Sequence, residues 1–346
     1  MLYDNVTLAA IGYELAPNVV TAEDIEARLA PLYTALHLKS GQLEQLTGIQ
    51  ESRYWDPDFK LSQGAVLAGR KAIDKAGIDP SQIGMLVYGA VCRENLEPAT
   101  ACAVADGLGI VADAQVLDIS NACLGMLNGI VQISNAIALG QIRAGLVVSC
   151  ESCRQIVDST IDRMLTANSM EIFKHCVATM TGGSGAAAVL LTDGTFGPAG
   201  HRLLGGVIRN AVQHHGLCTW GPDTGIPATA PHVMNTDSVG VLQNGVKLGR
   251  DTFIALRQEL AWHDGQPDKV VCHQVGAAHQ NAILDALDLP RAKDFSTFRY
   301  LGNMGTASII VTAAIAAERG FLQSGDKVGF LGIGSGLNCL MLGAEW

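Results

Sequence analysis

Charged and aromatic side chains are scarce in this 346-residue chain, at 16% and 5% against 48% hydrophobic. With so little charge, much of the surface is expected to be covered by a partner, which favours an obligate oligomer. Basic residues are the scarcer sign, 23 Lys and Arg against 33 Asp and Glu, and the net charge of −10 argues against a nucleic-acid binder. Long apolar runs are missing too. The most apolar stretch, Ala307 to Ala317, is too short to span a bilayer and reads as a buried core helix. The amino terminus, Met-Leu-Tyr-Asp-Asn, lacks the basic-then-apolar layout of a signal peptide. Nine cysteines are present, an odd number without a disulfide-like framework, so a reducing cytoplasm is expected. Together these absences predict a soluble, cytoplasmic protein.

What is there centres on Asp118-Ile-Ser-Asn-Ala-Cys123-Leu-Gly. Ala114 to Ile119 reads as a buried strand, Ser120 and Asn121 supply cap-type side chains, and Leu124 to Leu139 carries helical spacing without proline. Cys123 therefore sits where a strand hands over to a helix, and the unpaired N–H groups of a helix start favour a thiolate there. A nucleophile and a buried structural cysteine both fit that position.

Strands and helices alternate along the rest of the chain, and the order repeats. Cys123 plus 180 gives Asn303, Gly140 plus 180 gives Gly320, and His273 minus 180 gives Arg93, at the start of the loop carrying Glu97. The pattern is that of an internally duplicated α/β fold, its halves spanning residues 1–195 and 196–346. Residues 154–181 read as an insertion in the first half, and a Gly/Pro/His-rich excursion from Gln213 to Pro231 matches it in character. In open α/β sheets reactive groups collect beyond the carboxyl ends of strands. Glu97, Cys123, His273 and Asn303 all fall at strand ends or helix starts, which predicts one shared site. Cysteine with histidine suits acyl transfer, in which a thiolate attacks a carbonyl and placed donors stabilise the oxyanion. Gly332-Ile-Gly-Ser-Gly336 is followed by a strand and lacks the geometry of a dinucleotide loop. It reads as a tight turn around Ser335, whose backbone amides join that of Cys123 as an oxyanion hole. His214-His215 with Cys218, and Cys150-Glu-Ser-Cys153, each lack the second ligand pair of a zinc site and read as structural. No metal and no cofactor is expected.

Four segments, Asn121-Ala-Cys123-Leu, Cys272-His273-Gln-Val, Gly302-Asn303-Met-Gly-Thr-Ala-Ser and Leu331-Gly-Ile-Gly-Ser-Gly-Leu-Asn-Cys339, carry a family likeness. The chain resembles the thiolase-superfamily condensing enzymes of the ketoacyl-ACP synthase III type, and more closely the OleA-type ketosynthases of head-to-head olefin biosynthesis. The resemblance spans the chain and implies the five-layered αβαβα thiolase fold. It implies that Cys123 accepts an acyl group, and that His273 and Asn303 hold the carbonyl oxygen of a second thioester. It bears most on Glu97, in Leu96-Glu97-Pro98-Ala-Thr100, which stands 26 residues before Cys123 (123 − 97). The OleA-type glutamate at that spacing reaches the active site of the opposite subunit.

The chemical reason is plain. A synthase that decarboxylates malonyl gains its carbanion from loss of CO2, whereas a non-decarboxylating Claisen enzyme must remove an α-proton from an ordinary acyl thioester. A carboxylate can do so when the enolate oxygen is held by strong donors, and burial in an acyl tunnel would raise its pKa. Without the spacing, Glu97 reads as a solvated loop carboxylate, as Glu94 does. After His273-Gln-Val the chain runs Gly276-Ala-Ala-His279 where the family is often more polar or basic, which leaves coenzyme A and acyl carrier protein both open as carrier.

The expected activity is thus non-decarboxylative condensation of two fatty acyl-CoA molecules to a β-ketoacyl product by a homodimer, the 154–181 and 213–232 loops walling the acyl channels. Enzymes of a downstream pathway are possible partners. A malonyl-using ketoacyl synthase III, an acyltransferase or hydrolase using the same Cys123, and a non-catalytic acyl-binding subunit are the alternatives.

Overall fold

The computed structural model describes residues 1–110, 113–197, 199–222 and 232–346. Strand β1 (Thr7–Leu15) is followed by the small pair β2 (Asn18–Thr21) and β3 (Glu51–Tyr54), with α1 (Ala22–Arg28), α2 (Ala30–Ala35) and α3 (Gln42–Thr47) between them. Next come α4 (Leu61–Ala76), β4 (Met85–Gly89), α5 (Thr100–Leu108), β5 (Gln115–Ile119), α6 (Gly125–Ala138) and β6 (Ala144–Glu151). Helices α7 (Arg154–Ala167) and α8 (Met170–Cys176) precede β7 (Gly185–Thr192). The remainder is β8 (His201–Asn210), β9 (Cys218–Pro222), β10 (His232–Thr236), α9 (Ser238–Glu259), β11 (Lys269–Cys272), α10 (Ala277–Ala286), α11 (Phe298–Leu301), α12 (Ser308–Glu318), β12 (Lys327–Gly334) and β13 (Asn338–Glu345).

Nine strands form one sheet in the order β11-β12-β13-β8-β1-β7-β6-β4-β5. It is two half-sheets joined edge to edge, where β1 meets β8 antiparallel at Thr7↔Arg202 and Leu8↔His201. Each half has parallel neighbours (β4 with β5 and β6, β11 with β12) and then an antiparallel hairpin partner, β7 or β13. Among the described residues the second half has no full outer strand, and only the parallel bridge Val270↔Asp294 flanks β11. Strands β4, β6 and β7 are buried throughout, so Val-Val, Ala-Ala-Ala and Leu-Leu runs replace alternation, as covering on both faces requires.

Helices α4 and α5 cover the outer face of the first half-sheet, α9 and α10 that of the second, and α6 and α12 touch strands of both halves. Five layers result. The largest apolar cluster is the middle one, built from α6, α12 and the inner strand faces. Gly89 and Gly125 let the end of β4 and the start of α6 meet back to back: a Cβ on Gly89 would lie 2.6 Å from the Gly125 carbonyl carbon. Small residues therefore seat the amino end of α6 on the sheet.

The 180-residue offset holds at the paired central helices. α6 spans 125–138, and the 3-10 turn Gly305–Ala307 with α12 spans 305–318. It fails at Arg93, because β4 ends at Gly89 and β11 at Cys272, 183 residues apart (272 − 89). His273 directly follows its strand, and Arg93 is not its positional counterpart. The two excursions are also not equivalent. Residues 154–181 connect β6 to β7, where the second half has only the tight turn between β12 and β13, while 213–231 connects β8 to α9. The first is helical rather than loop, α7, α8 and a short 3-10 turn. The second, described only to residue 222 and from 232, forms the β9–β10 hairpin. The two pack on each other, with Arg163 Nη1 donating to Asn235 Oδ1 at 2.8 Å.

Candidate active site

The chain leaves β5 through Ser120 and Asn121, turns at Ala122 and enters α6 just after Cys123. Ala122 has φ of +46°, a left-handed conformation that an alanine holds only under tight surroundings. Those surroundings are polar ties. Asn121 Nδ2 donates to Asn128 Oδ1 (2.8 Å), and Asn121 Oδ1 accepts from Asn338 Nδ2 (3.1 Å). Asn338 Nδ2 also reaches the Ser335 carbonyl at 3.4 Å, so the nucleophile's turn and the 335 turn are fastened together. Gly334 packs against that turn; a Cβ on it would lie 3.3 Å from the Cys123 nitrogen. At the start of α6 the Met126 N–H donates to Thr306 Oγ1 at 2.7 Å, so a side chain from one half caps the helix of the other.

Asn303 is held between glycines in the counterpart turn. Its N–H donates to the Thr181 carbonyl (2.8 Å), and its Oδ1 accepts from the Gly305 N–H (3.0 Å), which leaves Nδ2 to donate to a ligand. His273 leaves β11 with its N–H donating to the Leu331 carbonyl at 3.0 Å. Its Nδ1 is buried without a partner. Burial, with a smaller contribution from His279, pushes its pKa down to about 4, so the imidazole is neutral at physiological pH.

Cys123, His273, Asn303 and Ser335 line one cavity of about 160 Å³, whose other walls include Val241, Leu242 and Val246 of α9 and Ile283 of α10. Cys123, Asn303 and Ser335 also line a second cavity, of about 300 Å³, walled by Ile156, Ala178 and Thr181 of the 154–181 segment. The 154–181 segment therefore walls a cavity that reaches Cys123. From the second excursion Cys218 lines both cavities, as does Met234 just beyond it, while residues 223–231 lie outside the described part of the chain. His279 also lines the first cavity.

One expectation changes. The helix start does not make Cys123 a ready thiolate: burial first, then the carboxylate of Glu151, pushes its thiol up to about 12, which keeps it protonated at neutral pH. Glu97 is exposed and lines neither cavity of its own chain. Its neighbour Glu94 is occupied, accepting from the Ser62 N–H (2.7 Å) at the start of α4. Asp118 likewise caps α5 by accepting from Thr100 and Ala101.

Sequence reasoning misses Glu151, which is 3% exposed and lines the second cavity with Cys123. The available signal is a charged residue ending an apolar strand of an α/β sheet, masked by the cysteines on either side, which imitate a redox motif. All nine cysteines are free, and among the described residues no three metal-ligating side chains come together. No helix among them is long and apolar enough to cross a membrane.

Residues 58–193 match the thiolase N-terminal domain, and residues 258–346 match the 3-oxoacyl-[acyl-carrier-protein (ACP)] synthase III C-terminal domain. The chain is 50% identical over its full length, and the full length of the relative, to an acyl-CoA:acyl-CoA alkyltransferase of Shewanella oneidensis. It is 35% identical, again over both full lengths, to the protein of that name in Xanthomonas campestris. A crystal structure of Xanthomonas campestris OleA bound to cerulenin superposes with a TM-score of 0.94 at 35% identity, covering 100% of this chain and 98% of that one. Another, with bound lauric acid and lauroyl-CoA, gives 0.93 at 34% identity and full coverage of both.

Proposed function

Because the chain belongs to the acyl-CoA:acyl-CoA alkyltransferase family of thiolase-fold condensing enzymes, we propose that it joins two fatty acyl-CoA thioesters without loss of CO2. The observation carrying this reading is the meeting of two cavities at Cys123 and Asn303, one with largely aliphatic walls, so that two chains can converge on one sulfur. In the first half-reaction Cys123 attacks an acyl-CoA carbonyl. Its thiol proton leaves with the coenzyme A thiolate, and the backbone N–H groups of Cys123 and the Ser335 turn stabilise the oxyanion. In the second, the carbonyl oxygen of another acyl-CoA lies against His273 and Asn303 Nδ2. Glu97 removes the α-proton, the carbanion attacks the acyl carbonyl on Cys123, and the sulfur is expelled to leave a β-ketoacyl-CoA. The neutral state of His273 suits a hydrogen-bond donor better than a permanent cation.

Glu97 acts from a second copy of the chain in this reading. Supporting that, Glu97 is exposed beside Leu96, which is 84% exposed, and β5 ends the sheet with no further strand on its outer edge among the described residues. The free thiols support a reducing cytoplasm. Incubation of the purified protein with lauroyl-CoA as sole substrate tests the reading. A β-keto acid, or the ketone it decays to, is expected; a strict requirement for malonyl thioester would overturn it.

A further inference from the structure

Glu151 closes β6, and its carboxylate is gripped by main-chain N–H groups from two other segments. Oε1 accepts from Val91 (2.9 Å) and Thr306 (3.4 Å), and Oε2 from Cys92 (3.0 Å). Val91 and Cys92 open the loop that carries Glu97, while Thr306 lies in the turn that presents Asn303. Gly305, whose N–H orients Asn303, packs against the same group: a Cβ there would lie 3.0 Å from Oε1, at a φ of +54°. The Thr306 hydroxyl in turn caps the helix of Cys123. One buried carboxylate thus stands where all three segments of the site meet, and it lines the second cavity with Cys123 and Asn303.

We propose that Glu151 is a positioning residue, which registers the Asn303 turn against the Glu97 loop and holds its carboxylate in the cavity it shares with Cys123. The proposal rests on the condensation reading for what Asn303 and Glu97 do. Both carboxylate oxygens are already engaged by N–H donors, so Glu151 is fixed in place rather than free to take a substrate proton. The titratable groups around it are the thiols of Cys92, Cys123 and Cys150 and the Tyr88 phenol. Burial raises its own pKa, and the N–H groups of Val91, Cys92 and Thr306 oppose that.

Glu151→Gln removes the charge and puts an amide N–H where an acceptor stood; Glu151→Asp keeps the charge on a shorter arm. Alkylation of Cys123 by iodoacetamide, followed by mass spectrometry across pH, is expected to shift to lower pH in the Gln variant and to stay near wild type in the Asp variant. Acylation by lauroyl-CoA is expected to persist in both, while condensation falls by about a hundredfold as Asn303 loses register. Thermal melts establish that each variant folds, and if the Gln variant does not, the Asp variant carries the test through its split between acylation and condensation. An unchanged alkylation profile in a folded Gln variant, condensation within about threefold of wild type, or equal loss of both half-reactions would overturn the proposal. If wild-type protein itself makes no condensed product, the condensation reading fails, and the alkylation profile still decides whether the charge bears on Cys123.

Discussion

Positions 123 and 303 stand at the same point of the two halves, just before paired central helices that begin at 125 and 305, yet the turns that present them are built differently. The cysteine follows a non-glycine residue in left-handed conformation and is pinned by three asparagines. The asparagine lies between Gly302 (φ +65°) and Gly305 (φ +54°), with its side-chain Oδ1 accepting from the N–H of the latter. A repeated scaffold brings two helix starts together at one centre, and the residue chosen at each decides the chemistry. In the proposed reaction one side forms a covalent bond to the substrate and the other offers only a hydrogen bond. The connections beyond differ as well, since α7 and the 3-10 turn Val177–Thr181 wall a cavity in the first half where the second makes a tight turn.

The comparison breaks most readily at the nucleophile. Cys123→Ala is expected to abolish the acyl-enzyme detected by mass spectrometry and to cut turnover by about a thousandfold or more. Asn303→Ala sharpens the contrast. Acylation should persist in the same assay while condensation falls by about a hundred- to a thousandfold, the loss typical of one oxyanion donor; equal loss of both steps would mean the two positions are not divided in role.

The third test addresses the place where the second half lacks its outer strand. Asp294 stands there, 9% exposed, and burial raises its pKa from 3.8 to about 6. A carboxyl with a raised folded-state pKa gives stability that is full below its ordinary value and lost as pH rises through about 6. Asp294→Asn should therefore match wild type near pH 4 and exceed it at pH 8, by up to about 3 kcal/mol, in denaturant melts at the two pH values. The smallest effect is expected at the cap joining the halves. Thr306→Val leaves the Met126 N–H without its acceptor and should cost about 1–2 kcal/mol in the same melts.

Much of this site is legible in the amino-acid sequence alone. The strand–Asn–Ala–Cys–helix order places Cys123 at an elbow because apolar run length and helical period are local signals. His273 and Asn303 follow from strand ends and the repeat. Glu151 is not legible in the same way, since its role depends on N–H groups 59 to 155 residues distant in sequence. The protonation state of Cys123 is misread from sequence because proximity to a helix start shows there, whereas burial and a carboxylate arriving from β6 do not. The 154–181 segment reads as irregular because its helices bury one face under a hairpin that sequence alone does not bring near. Glu97 is singled out by spacing, and its exposure in one chain marks the limit of what one chain explains.

A mixture of two inactive proteins tests that last point most directly. Glu97→Ala and Cys123→Ala, unfolded together and refolded, form mixed dimers in which one site has both the thiol of one chain and the carboxylate of the other. The account predicts that condensation of lauroyl-CoA returns to roughly a quarter of wild type, since half the dimers are mixed and one site in each is whole. If the mixture is as inactive as its components, Glu97 does not act across a dimer, and the proposed second half-reaction is wrong.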